Sequence, residues 1–245
     1  MPPVALLILI FLVALVYASV GHGGASGYLA AMALAGSQPP AQMSTSALLL
    51  NLLVAGTAWL AFWRAGYGSF RLLWPFAAAS VPAALIGGSL SISAQAYRWL
   101  LAACLLAAAA RLCLPSMRDA QGLRGPSPAV ALPVGGTIGL VSGIVGVGGG
   151  IFLSPLMVLL RWADVKRTAA VSAAFIVVNS LAGLAGRLIA GRLAVGSLWP
   201  LLLAAFAGGL VGARLGANHF SGVWLRRLLA LVLAIAAGKL ALTHG

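Results

Sequence analysis

Long apolar runs separated by short polar interruptions fill the chain from end to end. Eight stretches have, or nearly have, the length of a membrane-crossing helix. They are about 4–35 and 129–160, both long and broken, then 42–63, 70–91, 95–114, 168–186, 197–216 and 222–242. A helix rises about 1.5 Å per residue, so roughly 20 apolar residues cross the hydrocarbon of a bilayer. Polar and apolar positions do not alternate within the runs, which excludes a β-barrel. The pattern predicts an all-α polytopic membrane protein.

The two long runs are interrupted by glycine knots, Val20-Gly21-His22-Gly23-Gly24-Ala25 and Val145-Gly146-Val147-Gly148-Gly149-Gly150. Each glycine inside a helix costs about 1 kcal/mol relative to alanine, so both knots predict a break, with a new half-helix starting near Ala25 and Ile151. Sliding the sequence by 125 places superposes the knots. The same or a slightly larger shift pairs Ser44 and Asn51 with Ser172 and Asn179, Trp74-Pro75 with Trp199-Pro200, Leu85-Ile86-Gly87 with Leu210-Val211-Gly212, and Arg98 with Arg226. The chain therefore reads as two copies of one unit, 1–114 and 129–245, joined by a polar cytoplasmic linker, 115–128.

The basic residues suggest how the copies are oriented. If each broken segment enters and returns, each copy crosses three times and the second is inverted. That arrangement puts eleven of the fifteen Lys and Arg on one side and four (Arg98, Arg187, Arg192 and Lys239) on the other. Broken segments that crossed once would leave an even split, so the positive-inside bias favours the inverted pair. The expected fold is two inverted-topology repeats, each with one broken re-entrant hairpin and three transmembrane helices. Inverted repeats with helix breaks at matching positions point to a carrier whose site lies between the repeats near mid-membrane.

Composition agrees: 62% of residues are hydrophobic and 7% charged, with mean hydropathy +1.08. The first run follows Met1-Pro2-Pro3, which carries no basic residue, and it recurs in mid-chain, so it is expected to remain as a span rather than act as a signal peptide. The net charge of +13 belongs to helix ends and does not imply nucleic acid. Cys104 and Cys113 have neither CxxC spacing nor a ligand cluster nearby and read as reduced packing residues. No metal or cofactor is expected.

The acidic inventory bears on the substrate. The chain has only Asp119 and Asp164, both in predicted loops, so no carboxylate waits in the membrane for a cation or a proton. Backbone left unwound within a bilayer must line a cavity or be buried in protein. At each knot the N–H groups and the positive dipole end of a starting half-helix favour an anion. The candidate ligands are Gly21, Gly23 and Gly24 in the first knot and Gly146, Gly148, Gly149 and Gly150 in the second. Close helix packing is the bland alternative for these glycines. Ser44 and Asn51, like Ser172 and Asn179, are two helical turns apart and share a face, able to offer a hydroxyl and an amide to an oxyanion or to bond between helices. His22 replaces Val147 of the other knot and is the one histidine deep in a span. With an ordinary pKa of about 6.5 it is the candidate to contact the anion or carry a coupled proton, unless a backbone carbonyl simply satisfies it. Ser26 and Tyr28 follow within two turns; Thr45, Ser46 and Thr168 are weaker candidates. Arg187, past Gly183 and Gly186, reads as an interfacial arginine, the alternative being one that attracts anions to the outer mouth.

These residues resemble the TauE/SafE family of sulfite-exporter-like membrane permeases. The resemblance rests on the Gly146–Gly150 knot followed by Pro155, on Ala169–Asn179 in the next helix, and on their duplication. It implies a secondary transporter of small sulfur anions such as sulfite or organosulfonates, or of another small anion, in the bacterial inner membrane. The glycine motif carries over to Gly146, Gly148, Gly149 and Gly150, and through the repeat to Gly21, Gly23 and Gly24. The first knot departs from it in having His22 and in lacking a third consecutive glycine at Ala25.

Two other classes compete. Gly24-Ala25-Ser26-Gly27 satisfies the GxSG pattern of rhomboid-like intramembrane proteases, with His219 as a distant base. A non-transporting membrane partner would have to use loops that are short outside the linker.

Overall fold

The computed structural model describes residues 3–34, 40–90, 123–193, 198–221 and 224. The predicted span 95–114, all of 222–242 but Trp224, most of the linker, both cysteines, Asp119 and the Arg98–Arg226 pair lie outside the described residues.

Within them the fold is all helical. Helix α1 (Val4–Ser19) ends at the first knot and α2 (Ala25–Leu34) leaves it. Helix α3 (Pro40–Phe62) closes in a π-turn, Trp63–Tyr67, and α4 (Phe70–Ser89) follows. Helix α5 (Pro128–Val145) ends at the second knot and α6 (Gly150–Leu159) leaves it. Helix α7 (Val165–Ile189) and helix α8 (Trp199–Arg214), which ends in a second π-turn, Leu215–His219, complete the described chain. Five helical segments are long and apolar enough to cross a membrane: Ser44–Tyr67, α4, α5, α7 and Trp199–His219.

Two glycine stripes set the helix pairing. On α5, a side chain at Gly135, Gly139 or Gly143 would strike the carbonyls of Phe76, Ser80 or Ala84 on α4. Gly208 and Gly212 on α8, and Gly216 in the π-turn after it, meet the carbonyls of Phe11, Leu15 and Ser19 on α1 in the same way. Spacing by four puts each stripe on one helix face, and the missing Cβ atoms let backbones touch, the route to close packing where lipid supplies no hydrophobic drive. The contacts match across the sequence shift. Gly87 lies on the Leu140 carbonyl and Gly212 on the Leu15 carbonyl, and a shift of 125 converts one pair into the other.

Helices α3 and α7 run antiparallel through the middle. Lys166, at the start of α7, donates to the Tyr67 hydroxyl beyond the end of α3. At the other end, Gly146 lies beside both Arg187, late in α7, and the Ser44 carbonyl, early in α3. The second broken unit is a hairpin: the Arg124 amide, just before α5, donates to the Arg161 carbonyl just after α6. At 18 residues α5 could cross on its own, yet the chain turns back at the knot.

Basic side chains satisfy helix C-termini, whose last carbonyls lack partners and carry the negative dipole end. Lys166 donates to the Ala217 carbonyl and Arg192 to the Gly88 carbonyl.

Candidate functional site

Both knots are turns of defined geometry. At the first, the His22 amide bonds the Tyr17 carbonyl and the Gly21 amide the Ala18 carbonyl. This double closure needs a left-handed residue after the helix, and Gly21 has φ +76°. At the second knot Gly146, Gly148 and Gly149 all have positive φ, so no run of side-chain-bearing residues would take this path without strain. The new half-helices begin at Ala25 and Gly150, as the sequence indicates to within one residue.

The two breaks meet. Asn51, at the midpoint of α3 and fully buried, accepts from the Ala25 amide through Oδ1 at 2.9 Å. Through Nδ2 it donates to the Val147 carbonyl at 3.0 Å. One side chain thus caps the half-helix of the first break and holds the main chain of the second. Val20, Tyr28, Val145, Val147 and Ile151 from the two breaks share one apolar core.

Around this strut lie polar groups that the protein does not pair. Asn179 Nδ2, Ser180 Oγ and Tyr28 Oη are buried and have no hydrogen-bond partner. Each faces a knot glycine. A Cβ on Gly149 would lie 3.4 Å from Asn179 Nδ2, one on Gly148 would lie 3.1 Å from Ser180 Oγ, and one on Gly24 would lie 2.9 Å from Tyr28 Oη. His22 is buried with Nδ1 3.1 Å from the Val20 carbonyl. A carbonyl only accepts, so the proton sits on Nδ1 and neutral His22 has a bare lone pair at Nε2, which is unpartnered. The Gly150 backbone lies close to that ring.

A match to the family model described as "Sulfite exporter TauE/SafE" extends over residues 6–240. The chain belongs to this family. It is also similar to the "Probable membrane transporter protein y4hK" of Sinorhizobium fredii (strain NBRC 101917 / NGR234), with 36% identity over 241 residues, 97% of each chain. No solved structure matches the chain. As a TauE/SafE protein it is a multi-pass membrane transporter and not a protease. Ser26, the nucleophile of the protease reading, shares a 3.0 Å hydrogen bond with Tyr17, and His219 is exposed at the end of the second π-turn.

In this TauE/SafE chain the other expected residues divide. Ser44 lies at the second knot with its main-chain carbonyl 3.5 Å from a Cβ on Gly146. Ser172 accepts at 2.7 Å from Ser154 within its own half, and its carbonyl lies under Gly150. Two features bear on how the knots could meet a ligand. The amide at the head of α2 is not bare, because Asn51 caps it. The knots are also covered by side chains: Gly23 by Asn51, Gly24 by Tyr28, Gly149 by Phe175 and Ile138, and Gly150 by Ile176. A cavity of about 360 Å³ opens elsewhere, at the basic end between Arg71, Leu123, Trp162 and Arg167.

Arg187 is the residue that sequence reasoning misplaced. It is buried, 9% exposed, and the only Lys or Arg so placed among the described residues. Nη2 approaches the Ile144 carbonyl at 3.4 Å, at the C-terminus of α5. The clue was Gly183 and Gly186: these small neighbours leave room for α4 and α5 to close over that end of α7, as the Leu85 carbonyl against Gly186 shows.

Proposed function

We propose that the protein is a secondary transporter of small sulfur oxyanions, such as sulfite or organosulfonates, held where the two helix breaks meet. The observation that carries this reading is the set of buried, unpartnered donors on Asn179, Ser180 and Tyr28, each turned toward a knot glycine. A buried donor left unpaired costs about 1–3 kcal/mol, so a ligand rich in acceptors is favoured there. The N-terminus of the ten-residue α6 adds its dipole to the same point. Arg187 supplies positive charge beside Gly146. The described residues hold one carboxylate, Asp164, at the far end of α7, where it caps that helix. Another small anion is the alternative substrate.

The transporting frame is a pair of inverted repeats. The antiparallel course of the equivalent helices α3 and α7, the matched Gly87 and Gly212 contacts and the hairpin at the second knot support it. Arg71, Arg124, Arg161, Lys166 and Arg167 gather at one end of the bundle; that end, with the linker, is assigned to the cytoplasm. The covered breaks represent a closed state, which opens as the two sides of the central seam separate.

Protons are the proposed coupling ion. With Nδ1 committed to Val20, His22 can donate to an anion through Nε2 only after taking up a proton. Anion binding and proton binding therefore favour each other.

Uptake of radiolabelled sulfite into proteoliposomes, competed by sulfoacetate, thiosulfate, sulfate and a carboxylate panel, tests the reading. Saturable uptake displaced best by sulfur oxyanions is expected. Uptake no faster than in protein-free liposomes, for every anion tried, would refute it.

A further inference from the structure

Ser80, on α4, has no part in the reading above. Its hydroxyl donates to Asn179 Oδ1 at 2.6 Å, and both side chains are buried. That separation suits O–H···O, whereas N–H···O bonds centre near about 2.9 Å. The amide oxygen therefore faces Ser80, and the planar amide must aim Nδ2 the other way, toward Gly149. Gly149 is the N-cap of α6, so the unpartnered amide donor and the helix N-terminus converge on one point.

The other half is built differently. The 125-residue shift that pairs Trp74-Pro75 with Trp199-Pro200 puts Ala205 opposite Ser80. Ala205 is buried as well, but it has no hydroxyl. Asn51 accordingly spends both ends on main chain, at Ala25 and Val147. Two asparagines in equivalent places thus have different work, and one hydroxyl makes the difference.

We infer that Ser80 is a positioning residue that commits Asn179 to donate to the solute at the second break, while Asn51 serves as the strut between breaks. This inference rests on the anion-carrier reading and deepens it. At this point a solute meets N–H hydrogens and not a carbonyl lone pair, so it must present an oxygen acceptor there. A sulfite or sulfonate oxygen fits; an ammonium or other N–H end does not.

A double-mutant cycle in proteoliposomes tests it, because a residue acting only through Asn179 has no effect once Asn179 is gone. Ser80→Ala should raise the half-saturating sulfite concentration about three- to tenfold, the worth of one neutral hydrogen bond, with the maximal rate little changed. Asn179→Ala should raise it at least as much, and adding Ser80→Ala to Asn179→Ala should raise it no further. Effects of the two substitutions that multiply, or a Ser80→Ala half-saturation equal to wild type, would overturn the inference. Sulfite-induced thermal stabilisation of the detergent-solubilised proteins gives the same cycle as a binding measurement for any variant that transports poorly. Failure of the carrier reading is separable: there the wild-type protein itself would show no saturable uptake of sulfite, thiosulfate or sulfoacetate.

Discussion

Asn51 holds two buried main-chain groups that belong to different breaks, which makes it the side chain whose loss should be felt most widely. Asn51→Ala leaves the Ala25 amide and the Val147 carbonyl without their partner, at about 1–3 kcal/mol for each group so exposed to burial. The expected result is a clear fall in the thermal unfolding temperature in detergent, together with loss of uptake; an unchanged unfolding temperature would contradict the strut. His22 makes a different prediction. If its protonated ring is what donates to the anion, uptake rises as the external pH falls, and His22→Gln should flatten that rise while leaving the protein folded. A variant with the wild-type pH profile would leave His22 a packing role. The identities of these residues were legible in the sequence, because Asn and His stand out in apolar runs. Their partners were not. Whether an asparagine ligates, caps or ties two turns together depends on the helix opposite, and spacing along its own helix says nothing of that. Ser80 was invisible for the same reason: its meaning comes from Asn179, ninety-nine residues away.

At the scale of elements, the breaks could be read from sequence because clustered glycines oppose a helix locally, wherever they are. The stripes on α5 and α8 could not be told from ordinary small residues, because glycines spaced by four are compatible with a helix and acquire their role from the carbonyls they meet. Arg187 was misjudged likewise, since Gly183 and Gly186 leave room at the end of α7 but only the packed helices show α4 and α5 closing over it. The stripes make a sharp prediction. Gly139→Val on α5 and Gly212→Val on α8 place side chains against carbonyls and should sharply lower the yield of folded, monodisperse protein. Gly136→Ala, whose added Cβ would sit 3.7 Å from Ala79 Cβ, should not. Size-exclusion profiles of the three variants check this, and three indistinguishable profiles would show that close backbone approach does not hold the bundle.

At the scale of the whole molecule, the packing does not follow the order of the chain. Helices α1 and α3 pack with α8, while α4 packs with α5 and α7. Each of these bodies takes two helices from one half of the sequence and one from the other, and the bodies meet along α3 and α7, where the breaks lie. Motion between bodies would open this seam without tearing either glycine-packed pair. In a background free of Cys104 and Cys113, cross-linking Leu48→Cys to Gly183→Cys, across the seam, should stop uptake. Cross-linking Thr57→Cys to Gly209→Cys, within one body, should leave it largely intact. Equal inhibition by both would mean that the bodies do not move as units.

The exchange of α4 for α8 also bears on how such a chain could have arisen. The first half of the chain standing alone would have α4 stranded and would leave the Phe11, Leu15 and Ser19 carbonyls of α1 without the glycines that meet them. On the proposed reading of two copies of one unit, two separate copies would have had to lend each other that helix, and joining them in one chain would make the loan permanent.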